Sequence, residues 1–221
     1  MSDTIRPGAE MSEPIHTSKF PPWVRWASLI WFAVWFPVYW RTWGVQNFLH
    51  VCDITVILTC VGFWCNSPLV ISSQAVSSIL VDFLWNLDAA WRLFTGHHLT
   101  GGTEYMWDPH YPLWVRLLSL FHIVWPVLLL WALGHAGYDR RGLALQSAIA
   151  AVTMLASRFT NPAMNINYVF RDPIAHRALG PAPVHVALMW IGLVILIYLP
   201  THLALAKLFP APPAEKIQPP V

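Results

Sequence analysis

The chain has 221 residues, of which 56% are hydrophobic and only 11% are charged, against roughly 25% charged residues in an ordinary soluble domain. It contains 14 Trp, its net charge is +2 and its mean hydropathy is +0.49. These values indicate an integral membrane protein and, with no run of basic residues, argue against a nucleic-acid partner.

Six apolar segments are long enough, at about 20 residues each, to cross the roughly 30 Å hydrocarbon core of a bilayer. Apolar runs of this length favour helices over the short alternating strands of a barrel. We therefore predict an all-α integral membrane bundle of six transmembrane helices over residues 21–209, between a polar N-terminal tail (1–20) and a Pro-rich C-terminal tail (210–221). The predicted spans are 22–40, 47–66, 68–88, 112–134, 141–161 and 183–208.

The first two spans differ in polarity. The first, "PPWVRWASLIWFAVWFPVYW", is rich in Trp and lacks the cleavage site of a signal peptide, so we expect it to be retained. The second begins with "NFLHVCDITVILT", which places His50, Cys52 and Asp53 within four positions of an apolar segment. An ionisable group at membrane depth costs at least roughly a few kcal/mol unless it is neutral, paired or hydrated, so its presence favours a functional role.

The third span carries a stripe of polar side chains. Gln74, Ser78, Asp82 and Asn86 recur every four residues, which places them on one face of a helix. Ser, Asn and Gln commonly join membrane helices through hydrogen bonds. For Asp82 we favour a functional role, because an ionisable side chain is a costly way to join helices.

The loop after the third span contains side chains that metals accept, but in no spacing typical of a metal site. Cysteines occur at three positions in one apolar segment and form no CxxC motif, which argues against a zinc site or a disulfide framework. We predict no metal and no cofactor. The loop residues are His97, His98, Glu104, Asp108 and His110.

The fourth and fifth spans add further polar positions. His122 lies in "LLSLFHIVWPVLLL", about a third of the way along the fourth span. The fifth span has a polar stripe through Ser157 and Asn161, which reaches Asn165 if the helix continues past the intervening proline. Arg158 could pair with a buried carboxylate, hold a lipid phosphate or extend to the interface, and we favour the interface. We expect the polar faces of spans 2 to 5 to surround one interior pocket.

Three segments resemble the YwaF-like six-span bacterial membrane proteins: "FLHVCDITVIL", "LLSLFHIVWPV" and "NPAMNINYVF", in this order within residues 45–172. Those proteins are in turn similar to eukaryotic intramembrane acyltransferases and to the androgen-induced fatty-acid-ester hydrolases. The resemblance implies a bacterial inner-membrane location, a nucleophile at Cys52 and a base at His122. It also implies that Asn165, Asn167 and Tyr168 line the pocket.

The residues support the same chemistry without the family. A thiol attacks as its thiolate, so a buried cysteine needs a nearby base, and His122 on another helix is a candidate. We therefore hypothesise a lipid acyl hydrolase or acyltransferase that forms a thioester on Cys52. The other pocket candidates, including groups to orient the imidazole or bind the oxyanion, are His50, Asp53, Asp82, Asn86, Arg158, Asn161 and Asn165.

Two other functions remain open at this point. The polar positions could line the path of an ion or small-solute carrier, although no inverted repeat supports a familiar transporter. The chain could also be an accessory subunit of a membrane complex, with a haem between His50 and His122 as one form of that hypothesis. The expected partners are membrane lipids and either a second copy of the chain or another membrane protein. Arg140 and Arg141, in a short loop on the side of the termini, favour cytoplasmic termini.

Overall fold

A computed structural model describes residues 18–212, so most of the two predicted tails, 1–17 and 213–221, lies outside the described residues. Within 18–212 the fold is all-helical, with six long helices, short 3-10 turns and no strand. This confirms the all-α prediction. The helices are α1 Pro22–Trp43, α2 Val51–Trp64, α3 Pro68–Thr95, α4 Leu113–Ala136, α5 Gly142–Ser157 and α6 Ala182–Leu208.

Three of these helices, α3, α4 and α6, are long and apolar enough to cross a membrane, which indicates membrane association. By contrast, α2 and α5 are apolar but contain only 14 and 16 residues. At 1.5 Å per residue they are roughly 21 and 24 Å long, less than the thickness of the hydrocarbon core. That all six helices cross the bilayer stays a prediction.

Local backbone preferences explain where the helices depart from the predicted spans. Val45–Leu49 forms a 3-10 turn, so α2 begins at Val51 rather than at residue 47. The side chain of Asn161 caps a separate 3-10 turn at Pro162–Met164, so α5 does not continue through that segment. In the other direction, α3 extends past residue 88 and ends at Gly96, whose φ of 79° is the left-handed conformation that terminates helices.

The centre of the bundle is α3, which packs against α2, α4, α5 and α6. Its contact with α5 is close because of Gly142, where an added Cβ would lie 2.9 Å from the backbone of Ser72. On the other side, α1 packs against α2 and meets α4 through aromatic side chains. The rings of Trp35 and Phe121, for example, meet edge to face with centroids 6.0 Å apart.

Successive helices alternate in direction, so the bundle has two distinct ends. One end holds both ends of the described chain, where the backbone N–H of Tyr138 donates to the carbonyl of Pro210. The opposite end, which we call the loop end, is formed by residues 44–50, 96–112 and 158–181. At the loop end, the shorter helices α2 and α5 do not extend as far as their neighbours. Loop residues occupy the positions that further helical turns would have taken.

Candidate functional site

A buried pair near the middle of the bundle joins α3 and α4. Nε2 of His122 lies 3.9 Å from Oδ1 of Asp82, and both side chains are buried. Nδ1 of His122 is 2.8 Å from the carbonyl oxygen of Ser119, and the imidazole stacks on Trp85 with centroids 4.5 Å apart. Because a carbonyl only accepts, Nδ1 must carry the hydrogen. Nε2 is then left to exchange a proton with the carboxyl group or with a substrate.

Neighbouring polar residues of α3 fix this pair in place. The Ser78 hydroxyl donates to Oδ2 of Asp82. Nδ2 of Asn86 donates to the backbone carbonyls of both Asp82 and His122, each at 2.8 Å. These bonds tie α3 to α4 at the level of the imidazole, so three of the four residues in the predicted α3 stripe belong to one arrangement.

The fourth stripe residue, Gln74, belongs to a separate buried network. Its Nε2 donates to the Ser73 hydroxyl at 2.7 Å. Nε2 of Gln146 on α5 donates to the hydroxyls of Ser77 at 2.9 Å and Tyr198 at 3.2 Å. All of these groups are neutral, and they link α3, α5 and α6. This network has the character of the hydrogen bonding that commonly joins membrane helices.

The first turn of α2 brings Cys52 and Asp53 towards the same region. Asp53 is buried and accepts a hydrogen bond from Nδ2 of Asn47 at 2.6 Å. Cys52 is half-buried and lies within electrostatic range of Asp82. Among the described residues, no hydrogen bond joins its thiol to His122. We call Cys52, Asp53, Asp82 and His122 the polar cluster. These four residues lie in one region of the bundle, but the Cys52 thiol forms no hydrogen bond with the His122 imidazole in this structure.

A tyrosine that the sequence patterns did not identify also reaches the polar cluster. Tyr105, in the loop between α3 and α4, lies near Ser119, Cys52 and Asp53. Burial raises the pKa of its hydroxyl, which therefore remains protonated and able to donate at neutral pH. No periodic signal accompanies a single tyrosine in a polar loop, and only the three-dimensional fold reveals its position.

Asp88 holds that loop against α3. Its carboxylate, only 1% exposed, accepts hydrogen bonds from the backbone N–H groups of Leu99 at 2.7 Å, Thr100 at 2.6 Å and Thr103 at 3.1 Å, and from the Thr103 hydroxyl. Nδ1 of His98 lies 3.3 Å away. Asp88 was not among the predicted site residues, although it is a carboxylate inside an apolar helix. It has the role of an anchor for the loop that carries Tyr105.

The segment after α5, residues 161–170, is hydrogen-bonded to the backbone at the start of α2. Oδ1 of Asn167 accepts a hydrogen bond from the N–H of Val51 at 3.0 Å, and its Nδ2 donates to the Leu49 carbonyl at 2.7 Å. Asn165 adopts a positive φ of 44° and accepts from the N–H of Phe170 at 3.1 Å. Both amides are thus engaged with backbone, and Asn167 supplies the cap that α2 lacks in its own sequence.

The remaining candidates lie at the periphery. Nη1 of Arg158 donates to the Val169 carbonyl at 3.1 Å, and its guanidinium lies over Phe170, 4.2 Å from the ring centroid. Within residues 18–212 it forms no ion pair with a carboxylate. Asn161 is exposed and caps a turn, while Tyr168 is 41% exposed. The structure does not bring Arg158 and Asn161 into the polar cluster, whereas Tyr168 lies within electrostatic range of Cys52.

His50 is half-buried at the junction between the 3-10 turn and α2, close enough to His122 for electrostatic interaction. Among the metal-compatible loop residues, His110 and Asp108 pair with each other at 2.6 Å in a largely exposed position. In the part of the chain that the structure describes, no three His, Cys, Asp or Glu side chains are grouped as a metal ion would need.

Two grooves open on the outer surface of the bundle. The first, of about 350 Å³, lies between α2 and α5 and is lined almost entirely by apolar side chains. The second, of about 470 Å³, lies between the end of α1 and the start of α4 at the loop end and includes Arg41. The polar cluster itself lies inside the bundle, between them.

In comparisons with protein-family models, curated proteins and solved structures, nothing matches this chain. The likeness to the YwaF-like proteins therefore stays a prediction.

Proposed function

We propose that this protein is an intramembrane acyl hydrolase or acyltransferase that acts on lipids, with Cys52 as the nucleophile and His122 as the base. The supporting observation is the convergence of Cys52 on α2, Asp82 on α3 and His122 on α4 in one buried region. Cys52 and His122 supply the nucleophile and the base that covalent acyl transfer requires, and the Ser119 carbonyl orients the imidazole through Nδ1.

In this reaction Nε2 of His122 takes the proton of the Cys52 thiol, and the thiolate attacks the carbonyl carbon of a lipid ester. A carbon–sulfur bond forms, the ester carbon–oxygen bond breaks, and the imidazolium returns its proton to the leaving alkoxide. Water or a lipid hydroxyl then attacks the thioester, gives its proton to Nε2, and releases the acyl group as an acid or a new ester. The imidazolium returns that proton to the departing thiolate.

The other members of the site have supporting roles. Asp82 stabilises the imidazolium that forms in each half of the reaction. The Tyr105 hydroxyl and the free N–H groups in the first turn of α2 are donors for the developing oxyanion. Closure of the thiol onto the imidazole accompanies substrate binding, since catalytic hydrogen bonds are often long in the free enzyme.

We also propose that all six helices are embedded in a bacterial inner membrane, with cytoplasmic termini. Residues 44–50 and 158–172 would complete α2 and α5 at the loop end, because non-helical backbone at membrane depth is tolerated where protein covers it. Arg140 and Arg141 lie at the opposite end, with the described termini, as the positive-inside rule favours. The partners would be membrane lipids, with a second copy or another membrane protein as a further option.

Covalent labelling tests the catalytic proposal. Because Cys65 is exposed, labelling is measured in a Cys65→Ser background with a long-chain β-lactone, which acylates a nucleophile as an ester would. We expect Cys52→Ser to abolish labelling and His122→Ala to reduce it at least about 100-fold, a typical loss for a general base. Cys60→Ser, a buried-thiol control, should leave it unchanged. Equal labelling of all variants would reject the proposal.

A carrier for an ion or small polar solute is the second candidate, and one observation favours it. Asp53 and Asp82 are both buried, and within residues 18–212 neither has a Lys or Arg partner. Buried carboxyl groups in a membrane protein often mark a proton or ion path. Proton flux in reconstituted vesicles that is lost in Asp82→Asn but kept in Cys52→Ser would favour the carrier over the enzyme.

A further inference from the structure

The groove between α1 and α4 combines a single cation with mostly apolar walls. Arg41 is the one charged side chain among its lining residues; it lies in the last turn of α1 and is exposed. Within the described residues no carboxylate pairs with it. The groove therefore offers an unneutralised positive charge beside an apolar surface. Its lining residues are Pro37, Val38, Arg41, Thr42, Pro112, Trp114 and Val115.

The position of the groove matches the depth of lipid headgroups. Trp114 is 60% exposed and Trp40, beside Arg41, is 53% exposed. Exposed Trp and Arg at helix ends are typical of the membrane–water interface. The phosphate of a glycerophospholipid is an anion present at that depth, and a guanidinium binds phosphate through paired hydrogen bonds. Pro37 and Val38, one turn deeper along α1, would contact the upper part of an acyl chain.

The groove also adjoins the polar cluster. Val38 and Thr42 flank Tyr39 along α1, and Val115 lies one turn before Ser119 on α4. The hydroxyls of Tyr39 and Ser119 are 2.6 Å apart across the seam between these helices. The carbonyl of the same Ser119 accepts the hydrogen bond from His122. The Tyr39–Ser119 pair thus stands between the groove and the imidazole.

We infer that this groove binds the lipid on which the site acts, and that the lipid is a glycerophospholipid whose phosphate is held by Arg41. Its role as substrate rests on the proposed acyl-transfer function, whereas the binding itself does not. An uncharged glyceride with the same chains lacks the group that Arg41 recognises and binds more weakly.

Binding is tested in the Cys52→Ser protein, which lacks the proposed nucleophile, so that failure to bind and failure to react are separate results. The protein is purified with phosphatidylglycerol or with diacylglycerol of the same acyl chains, and retained lipid is counted by native mass spectrometry. We expect Arg41→Gln to lower retained phosphatidylglycerol at least fivefold and Arg41→Lys to lower it less. Diacylglycerol retention should be low throughout.

Arg171→Gln is the matched control, because it removes one exposed arginine from the loop end outside the groove. It should retain phosphatidylglycerol like the parent protein. If Arg41→Gln does not fold, Val38→Trp fills the groove while keeping the arginine, and it should lower retention by a similar factor. Equal retention by the Arg41 and Arg171 variants, or by Val38→Trp and the parent, would overturn the inference.

Discussion

The hydrogen on Nδ1 of His122 determines what this residue can do. Since Nδ1 donates to the Ser119 carbonyl, only Nε2 is free to accept a proton, and Asp82 is the acidic group nearest to it. A carboxyl group in that position can stabilise the imidazolium. A neutral amide in its place would instead donate its own hydrogen towards Nε2 and occupy the lone pair.

Asp82→Asn should therefore slow the alkylation of Cys52 by about 100-fold, within the range by which general bases act. The rate constant is measured with a membrane-permeant alkylating agent in the Cys65→Ser background. Asp139→Asn is the control, because it neutralises a carboxylate at the opposite end of the bundle, where Asp139 pairs with Arg141. Similar rates for the two variants would argue that Asp82 has no special relation to the thiol.

At this scale the sequence could predict which residues are unusual but not what they contact. The cost of ionisable groups in an apolar segment singled out His122 and Asp82, and the structure places these two side chains 3.9 Å apart. The same reasoning could not separate Gln74, which lies in the neutral network, from Ser78 and Asp82. The four-residue spacing shows which side chains share a face of α3. Their hydrogen-bond partners depend on which neighbouring helix packs against each part of that face.

The asparagines of the segment after α5 hold elements of the fold together through hydrogen bonds to backbone groups. Asn167 binds the backbone on both sides of His50 and caps α2, whose first N–H groups have no helical acceptor. The resemblance to the YwaF-like proteins implied a pocket-lining role for these residues. The structure shows how they hold two segments together, which no spacing within either segment could reveal.

Asn167→Ala should destabilise the fold by about 1–2 kcal/mol, as expected for the loss of a helix cap. Hydrogen–deuterium exchange should accelerate in residues 50–56. Asn161→Ala, which removes an exposed cap from a short 3-10 turn, serves as the control and should leave that segment unchanged. Matching exchange in both variants would count against a capping role for Asn167.

The loop between α3 and α4 depends in the same way on Asp88. Asp88→Ala leaves several backbone N–H groups without their acceptor, each worth about 1.5–3 kcal/mol when bonded to a charged group. We expect exchange protection of residues 98–103 to fall at least tenfold. In Asp108→Ala, which loses only an exposed pairing with His110, that segment should stay protected. An ordered loop in both variants would refute this role of Asp88.

On the scale of the whole molecule, hydropathy predicted six helices in the correct order, because each lies in a long, mainly apolar segment. Hydropathy could not predict where α2 begins or where α5 ends. An apolar residue in a loop that is covered by protein has the same hydropathy as one in a helix. Three helices are long enough to span the membrane alone. The contribution of the other three has to be measured.

Sided labelling tests the six-span arrangement. Cys65, in the turn between α2 and α3, and residue 110, before α4, lie at opposite ends of the bundle. A membrane-impermeant maleimide should therefore label Cys65 from the cytoplasmic side of vesicles. It should label a His110→Cys variant, made in a Cys65→Ser background, from the other side. Labelling of both positions from one side would show that α3 does not cross.

Catalysis by Cys52 is tested most directly by locating an acyl group on the protein during turnover. The wild-type chain is incubated with phospholipid vesicles, quenched in acid and analysed by peptide mass spectrometry. We expect a hydroxylamine-sensitive acyl adduct on Cys52 that is absent in His122→Ala. Release of fatty acid or acyl transfer that persists in Cys52→Ser, with no adduct at any time, would contradict it.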